Sequence, residues 1–177
     1  VRYNYLLQRV AEVRPSGILE VGTWDGGRAE QMLGMCNAEY IGFDLFEEGT
    51  PDLDAVEFNV KPHYSLDAVM QRLGGHKVTL VRGNTRDTLP KFTYPKPVDF
   101  VWLDGGHSIE TIRSDWEAGK KLLAPEAEVW FDDYYTGGPD IGLVGCNQIV
   151  RALKHQIYPV MDRVSGGGYV QMVRVWP

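Results

Sequence analysis

Apolar and polar positions along this chain follow two periods in turn. Short apolar runs rich in Val, Ile, Phe or Trp fall at about 17–21, 39–44, 77–82, 98–104 and 127–132, and each reads as a strand. Between them, patterns of helical spacing cover about 3–13, 28–36, 65–73, 108–123 and 141–156. The clearest runs from Ser108 to Leu123. Ser108 can cap it, Glu110 suits its first turn, and Ile112, Trp116, Gly119 and Leu123 mark one face. Such alternation predicts an α/β fold with a doubly wound, mostly parallel sheet and right-handed crossovers. The end of the chain departs from it. Tyr158–Val164 and Tyr169–Trp176 read as two strands joined through Ser165-Gly-Gly-Gly168, an antiparallel hairpin rather than a crossover.

Two stretches fit neither period. Residues 46–64 hold Glu47, Glu48, Gly49, Pro51 and Pro62 and read as a loop-like excursion beside a ligand, because a compact domain seldom carries so long a connection without a use. Pro90–Pro97, with three prolines, reads as a plain surface connector. At 177 residues, the chain is expected to form one domain with a continuous core. A net charge of −6 with no Lys/Arg run gives no footprint for nucleic acid or an anionic membrane surface. Cys36 and Cys146 have no C-x-x-C pairing and read as reduced packing thiols; with no long apolar span and no cationic leader, a cytoplasmic location is expected.

The most informative segment is Ile18-Leu-Glu-Val-Gly-Thr-Trp-Asp-Gly-Gly27: an apolar strand, an acidic residue near its end, and a glycine turn into a helix. Ligands of open α/β sheets sit outside the carboxyl ends of such strands. A dinucleotide fingerprint needs G-x-G-x-x-G, whereas here Trp24 stands in the place of the second glycine and Glu20 would repel a pyrophosphate. Asp44 ends the second strand and can accept both hydrogen bonds of a ribose diol. The segment resembles motif I of the class I S-adenosylmethionine (SAM) methyltransferases, in the form E-x-G-x-x-x-G-G. That resemblance implies a seven-stranded Rossmann-like sheet closed by an antiparallel hairpin. It places Glu20, Gly22, Thr23 and Gly26 at the cofactor turn, with Glu20 and Gly22 toward the methionine end. It gives Asp44 the ribose, Asn84 and Thr85 the adenine edge, and Asp104 a place beside the methyl group.

Two further strand ends carry carboxylates, Asp104-Gly-Gly-His107 and Asp132-Asp133-Tyr134. Neighbouring strand ends meet at one crevice, and three unpaired carboxylates there would raise one another's pKa. A divalent cation relieves that cost, and oxygen ligands favour Mg²⁺, Ca²⁺ or Mn²⁺ over zinc. Asp-x-x-His followed by Asp-Asp resembles the metal-dependent O-methyltransferases, both the catechol type and those acting on sugars of macrolide and aminocoumarin antibiotics. The resemblance runs from about residue 14 to the end. It implies Asp104, Asp132 and Asp133 as metal ligands, His107 as general base, and a small hydroxylated acceptor such as a sugar or glycoside. The chain lacks those enzymes' long N-terminal or lid additions, which leaves the acceptor open.

Three other functions stand beside this one: a metal-independent small-molecule methyltransferase, a non-catalytic SAM-binding protein, and an NAD-dependent oxidoreductase, which Trp24 disfavours. Trp24, Tyr134 and Tyr135 are candidates for an acceptor pocket, the stretch Gly137–Cys146 for a lid, and the terminal hairpin for a homodimer interface. His63 shows no partner in the sequence.

Overall fold

In the computed structural model, residues 2–137, 145–164 and 167–177 are described. Among them runs a seven-stranded sheet in the order β3-β2-β1-β4-β5-β7-β6. Its strands are β1 (Gly17–Val21), β2 (Glu39–Asp44), β3 (Lys77–Arg82), β4 (Val98–Leu103), β5 (Leu123–Thr136), β6 (Lys154–Arg163) and β7 (Tyr169–Trp176). β1 through β5 pair in parallel; β7 lies between β5 and β6 and runs antiparallel to both. The expected mostly parallel sheet with a terminal antiparallel hairpin is therefore present.

Alternation along the strands builds a core on each face. Leu19, Val21, Ile41, Phe43, Val101 and Phe131 meet Ile112 and Trp116 of α6 (Ile109–Gly119) and Cys146 and Val150 of α7 (Gly145–Val150). On the other face Ile18, Tyr40, Phe100, Trp102 and Trp130 meet Leu6 and Val10 of α1 (Arg2–Val13), Met32 of α2 (Gly27–Leu33) and Val69 of α4 (Leu66–Arg72). Helix starts are set by side-chain caps: Ser65 accepts from the Ala68 amide, and Ser108 from that of Thr111. None of the helices among the described residues is long and apolar enough to cross a membrane.

Three expectations need correction. The 46–64 excursion is not irregular throughout: it holds a 3₁₀ turn, Phe46–Glu48, and α3 (Pro51–Glu57). Its start signal is ordinary, with Thr50 accepting from the Leu53 amide and Pro51 in the first turn. No residue of α3 is buried, so it shows no apolar stripe to read. Asn84 caps the short α5 (Thr85–Thr88) by accepting from the Arg86 amide. The expected helix 141–156 is described only as α7; β6 already begins at Lys154, before the expected Tyr158. β5 is longer than 127–132, extending from Leu123 to Thr136. Gly138 and Gly142 of the proposed lid, and Ser165 and Gly166 of the hairpin turn, lie outside the described residues.

Candidate active site

The carboxyl ends of β1 to β4 open into one cleft of about 120 Å³. Gly22 follows β1, Asp44 ends β2, Gly83, Asn84 and Thr85 follow β3, and Asp104 to His107 follow β4; all of them line it. The excursion closes the other side with Leu53, Asp54, Glu57, Asn59, Lys61 and His63. Gly22 has φ 90°, and a Cβ there would stand 2.1 Å from the Asp104 carbonyl oxygen and 2.9 Å from Gly105 Cα. Only glycine permits β1 and β4 to approach this closely as the chain turns.

Asp44 is held rigidly. One carboxylate oxygen accepts from the Trp24 amide at 2.7 Å and the other from the Phe46 amide at 3.0 Å. Each oxygen keeps a lone pair for a ligand in the cleft. Trp24 itself sits at φ 53° and donates from its indole to the Pro62 carbonyl at 2.9 Å, with the Lys61 ammonium 5.3 Å from its ring centroid and Tyr64 edge-on. It thus ties the glycine turn to the excursion. His63, unpartnered in the sequence reading, pairs with Asp54 through Nε2 at 2.9 Å.

The other residues of the turn lie behind the cleft wall and do not line it. The Glu20 carboxyl is buried and accepts a short hydrogen bond from the Tyr40 hydroxyl, which also lies 3.2 Å from Thr23 Oγ1. Burial pushes Glu20 up to about 8, with the Tyr40 bond opposing. Gly26, at φ 77°, caps α2 and packs where a Cβ would stand 2.9 Å from a Val69 methyl carbon. Tyr134 is buried in the core, and neither it nor Tyr135 lines the cleft.

At the β4–β5 edge the three aspartates come together: Asp104, Asp132 and Asp133 each offer an oxygen within 4.8 Å of the others. Regular strand alternation would send the neighbours Asp132 and Asp133 to opposite faces. The β5–β7 register slips between Phe131 and Tyr134, and Asp133 takes φ 58°, which turns both carboxylates to one place. Aspartate is among the few residues that tolerate this left-handed backbone. Asp104, Gly105, Gly106 and His107 also line a smaller recess shared with Asp132 and Asp133, so the cluster adjoins the cleft.

His107 is held at both nitrogens. Nδ1 donates to the Glu57 carbonyl at 2.7 Å, because a carbonyl oxygen only accepts, and Nε2 faces an Asp133 oxygen at 2.6 Å. Burial works against the imidazolium, yet the bond and charge of Asp133 outweigh it and raise His107 above its ordinary value. Burial also opposes the Asp133 carboxylate, and His107 in turn holds it below the usual range. Asp104 moves well up, through burial first and then repulsion from Asp132 and Asp133.

Sequence reasoning missed three participants. Arg2 places Nε 2.7 Å from Asp132 Oδ1 and one terminal nitrogen 2.8 Å from Oδ2; Tyr3 donates to that same Oδ2 at 2.7 Å. Glu57 of α3 accepts from the Ser108 amide at 2.9 Å and from the Ser108 and Thr111 hydroxyls, clamping the excursion to the start of α6. A partner 130 residues away in sequence leaves no local signal for Arg2.

The donor set fits a hard divalent cation: three carboxylates and no sulfur or imidazole among them. The Asp104 carboxyl makes no hydrogen bond or ion pair among the described residues. Asp132 is the exception to the fit, since both its oxygens already face Arg2.

A family model described as a methyltransferase domain matches residues 19–134, about two thirds of the chain, from β1 to β5. Solved structures share the fold across different chemistries. The O-methyltransferase TomG of Streptomyces achromogenes, involved in tomaymycin synthesis and solved with SAM, is 17% identical with a TM-score of 0.70, over 98% of this chain and 78% of that one. An O-methyltransferase from Bacillus cereus solved with S-adenosylhomocysteine (SAH) is 16% identical, TM-score 0.66, over 99% and 80%. An rRNA methylase from Streptococcus thermophilus is 13% identical, TM-score 0.67, over 100% and 98%. None of the curated proteins matches the chain. The motif I turn, the strand order and the matched family model agree, and the chain belongs to the methyltransferase-domain family.

Proposed function

We propose that this enzyme transfers the SAM methyl group to a hydroxyl of a small acceptor, of the sugar or glycoside class, with the help of a divalent cation such as Mg²⁺. The observation that carries the reading is the convergence of His107 with Asp104, Asp132 and Asp133 beside the cleft lined by Gly22, Asp44, Asn84 and Thr85. In this reading Asp44 receives the ribose hydroxyls, Asn84 and Thr85 border the base, and the turn at Gly22 faces the methionine arm, with Glu20, Thr23 and Gly26 shaping that turn from behind.

An alcohol oxygen attacks a methyl group well only after losing its proton. Asp104, Asp132 and Asp133 would hold the cation, which when bound would lower the pKa of the acceptor hydroxyl. His107 is the proton acceptor, with its ring plane fixed by the Glu57 carbonyl. It can act only as neutral imidazole with Nε2 released from Asp133, because in the present pairing neither nitrogen has a free lone pair. The cleft then aligns oxygen, methyl carbon and sulfur, which is a large share of the rate in such a transfer.

The test is methyl transfer to a panel of sugar and phenol hydroxyls, with and without EDTA, for wild type and His107→Ala. Loss of about 100-fold or more in turnover, with SAH affinity unchanged by calorimetry, is expected of a missing base. Undiminished turnover in His107→Ala removes it from that role. One observation favours a second reading, a metal-independent small-molecule methyltransferase: the guanidinium of Arg2 already supplies a positive charge to Asp132. Full turnover in EDTA selects it.

A further inference from the structure

We propose that Arg2 is the resident cation of the aspartate cluster, so that a divalent ion fills the cluster only when this guanidinium withdraws. The inference rests on the metal-assisted reading above and says what in this chain opposes metal binding.

Arg2 reaches three acidic side chains with its five-donor fork: both oxygens of Asp132, Asp162 at 3.0 Å, and Asp133 at 3.4 Å. Its own side chain is only 12% exposed and that of Asp132 is 0%. The two-pronged contact uses the outward lone pairs of Asp132, and Tyr3 takes another on Oδ2. A metal ion needs the same directions, with carboxylate oxygens at about 2.0–2.6 Å. It would also lie beside the largely buried positive charge of Arg2. The two cations are therefore alternatives at Asp132, while Asp104, which bonds to neither Arg2 nor His107, stays ready for the ion.

Tyr3 makes the exchange conservative. Its hydroxyl would keep Asp132 aimed at the cluster after Arg2 leaves, since the ring is fixed edge-on to buried Trp102 and covered by Arg28. Metal affinity is then set by how firmly α1 seats its first turn, and not by the carboxylates alone.

The experiment is a titration of Mn²⁺ alone into the SAH-loaded chain, with free Mn²⁺ read by its electron paramagnetic resonance signal. Wild type is compared with Arg2→Gln and Arg2→Lys; the lysine variant keeps the charge but loses the two-pronged contact, and serves if the glutamine variant folds poorly. Tighter Mn²⁺ binding by tenfold or more in Arg2→Gln, with a smaller gain in Arg2→Lys, is the expected result. Equal or weaker binding in both variants overturns the role of Arg2 and leaves the metal site standing. No binding in wild type or either variant overturns both this inference and the metal-assisted reading.

Discussion

Glu20 offers the sharpest link between sequence and measurable energy. Its carboxyl is fully enclosed, shares a hydrogen bond with Tyr40, and has a pKa pushed up to about 8 by burial. A carboxyl whose folded pKa lies above its unfolded one contributes stability that is complete below the unfolded pKa and lost as pH rises toward the folded value. For Glu20 that window runs from 4.5 to about 8. At about 1.4 kcal/mol per unit, the loss is about 3 kcal/mol by pH 7 and at most about 5 kcal/mol above pH 8. Glu20→Gln has the same shape, still accepts from the Tyr40 hydroxyl, and does not ionise. Its stability relative to wild type should therefore be near zero or slightly negative at pH 5 and climb by roughly 2–4 kcal/mol by pH 8.5. Urea unfolding of both proteins without cofactor, at pH 5, 7 and 8.5, measures this directly. The other raised carboxyls titrate in both proteins and cancel in the difference. A difference that stays flat with pH would refute the reasoning, showing that Glu20 is ionised in the fold throughout.

Two further substitutions probe the frame of the cleft. Gly22→Ala puts a methyl group 2.1 Å from the Asp104 carbonyl at a φ of 90°, so β1 and β4 must part; a cost of about 3 kcal/mol or more in urea unfolding is expected, with SAH binding lost in calorimetry. Glu57→Ala removes the acceptor for the Ser108 amide and two hydroxyls. It should cost about 1–3 kcal/mol and speed amide exchange over 50–60, and unchanged exchange there would show that α3 is held by other contacts.

Strands were legible because β1, β2 and β4 are buried runs whose apolar residues feed both cores, and edge strand β3 alternates exposed Lys77, Thr79 with half-buried Val78, Leu80: Gly17–Val21, Glu39–Asp44 and Lys77–Arg82 start and stop at the residues the pattern predicts. Gly22, Asp44, Asn84, Thr85, Asp104 and His107 were legible as one group because each follows or ends a parallel strand, and parallel strands end on the same side. α3 was not, since none of its residues is buried and it is held to the body through Glu57, by its carboxylate and its carbonyl, rather than by a stripe. The bulge at Asp133 rests on a single backbone angle, and period-two reasoning would have sent its carboxylate away from Asp132. Arg2 is the extreme case, because the need for a positive charge was visible in the three aspartates but its source could equally be an ion or a distant side chain.

The strand order explains why cofactor and acceptor chemistry can be read separately and yet depend on one peptide. Order runs outward from the β1–β4 boundary in both directions, with β2 and β3 on one side and β5 on the other. Asp44 and Asn84 therefore stand on the first side, and Asp132 and Asp133 on the second. Asp104, Gly105 and Gly106 sit on the boundary, lining the cleft and the acidic recess alike. Their position is set by the Asp104 amide donating to the Val21 carbonyl at 2.9 Å and by the bare Cα of Gly22 against the Asp104 carbonyl. A change at Gly22 must then move Asp104 as well as the cofactor turn, so it should weaken metal and SAH binding together. Substitutions at Asp44 or Asp132, one strand away on either side, should weaken one and spare the other.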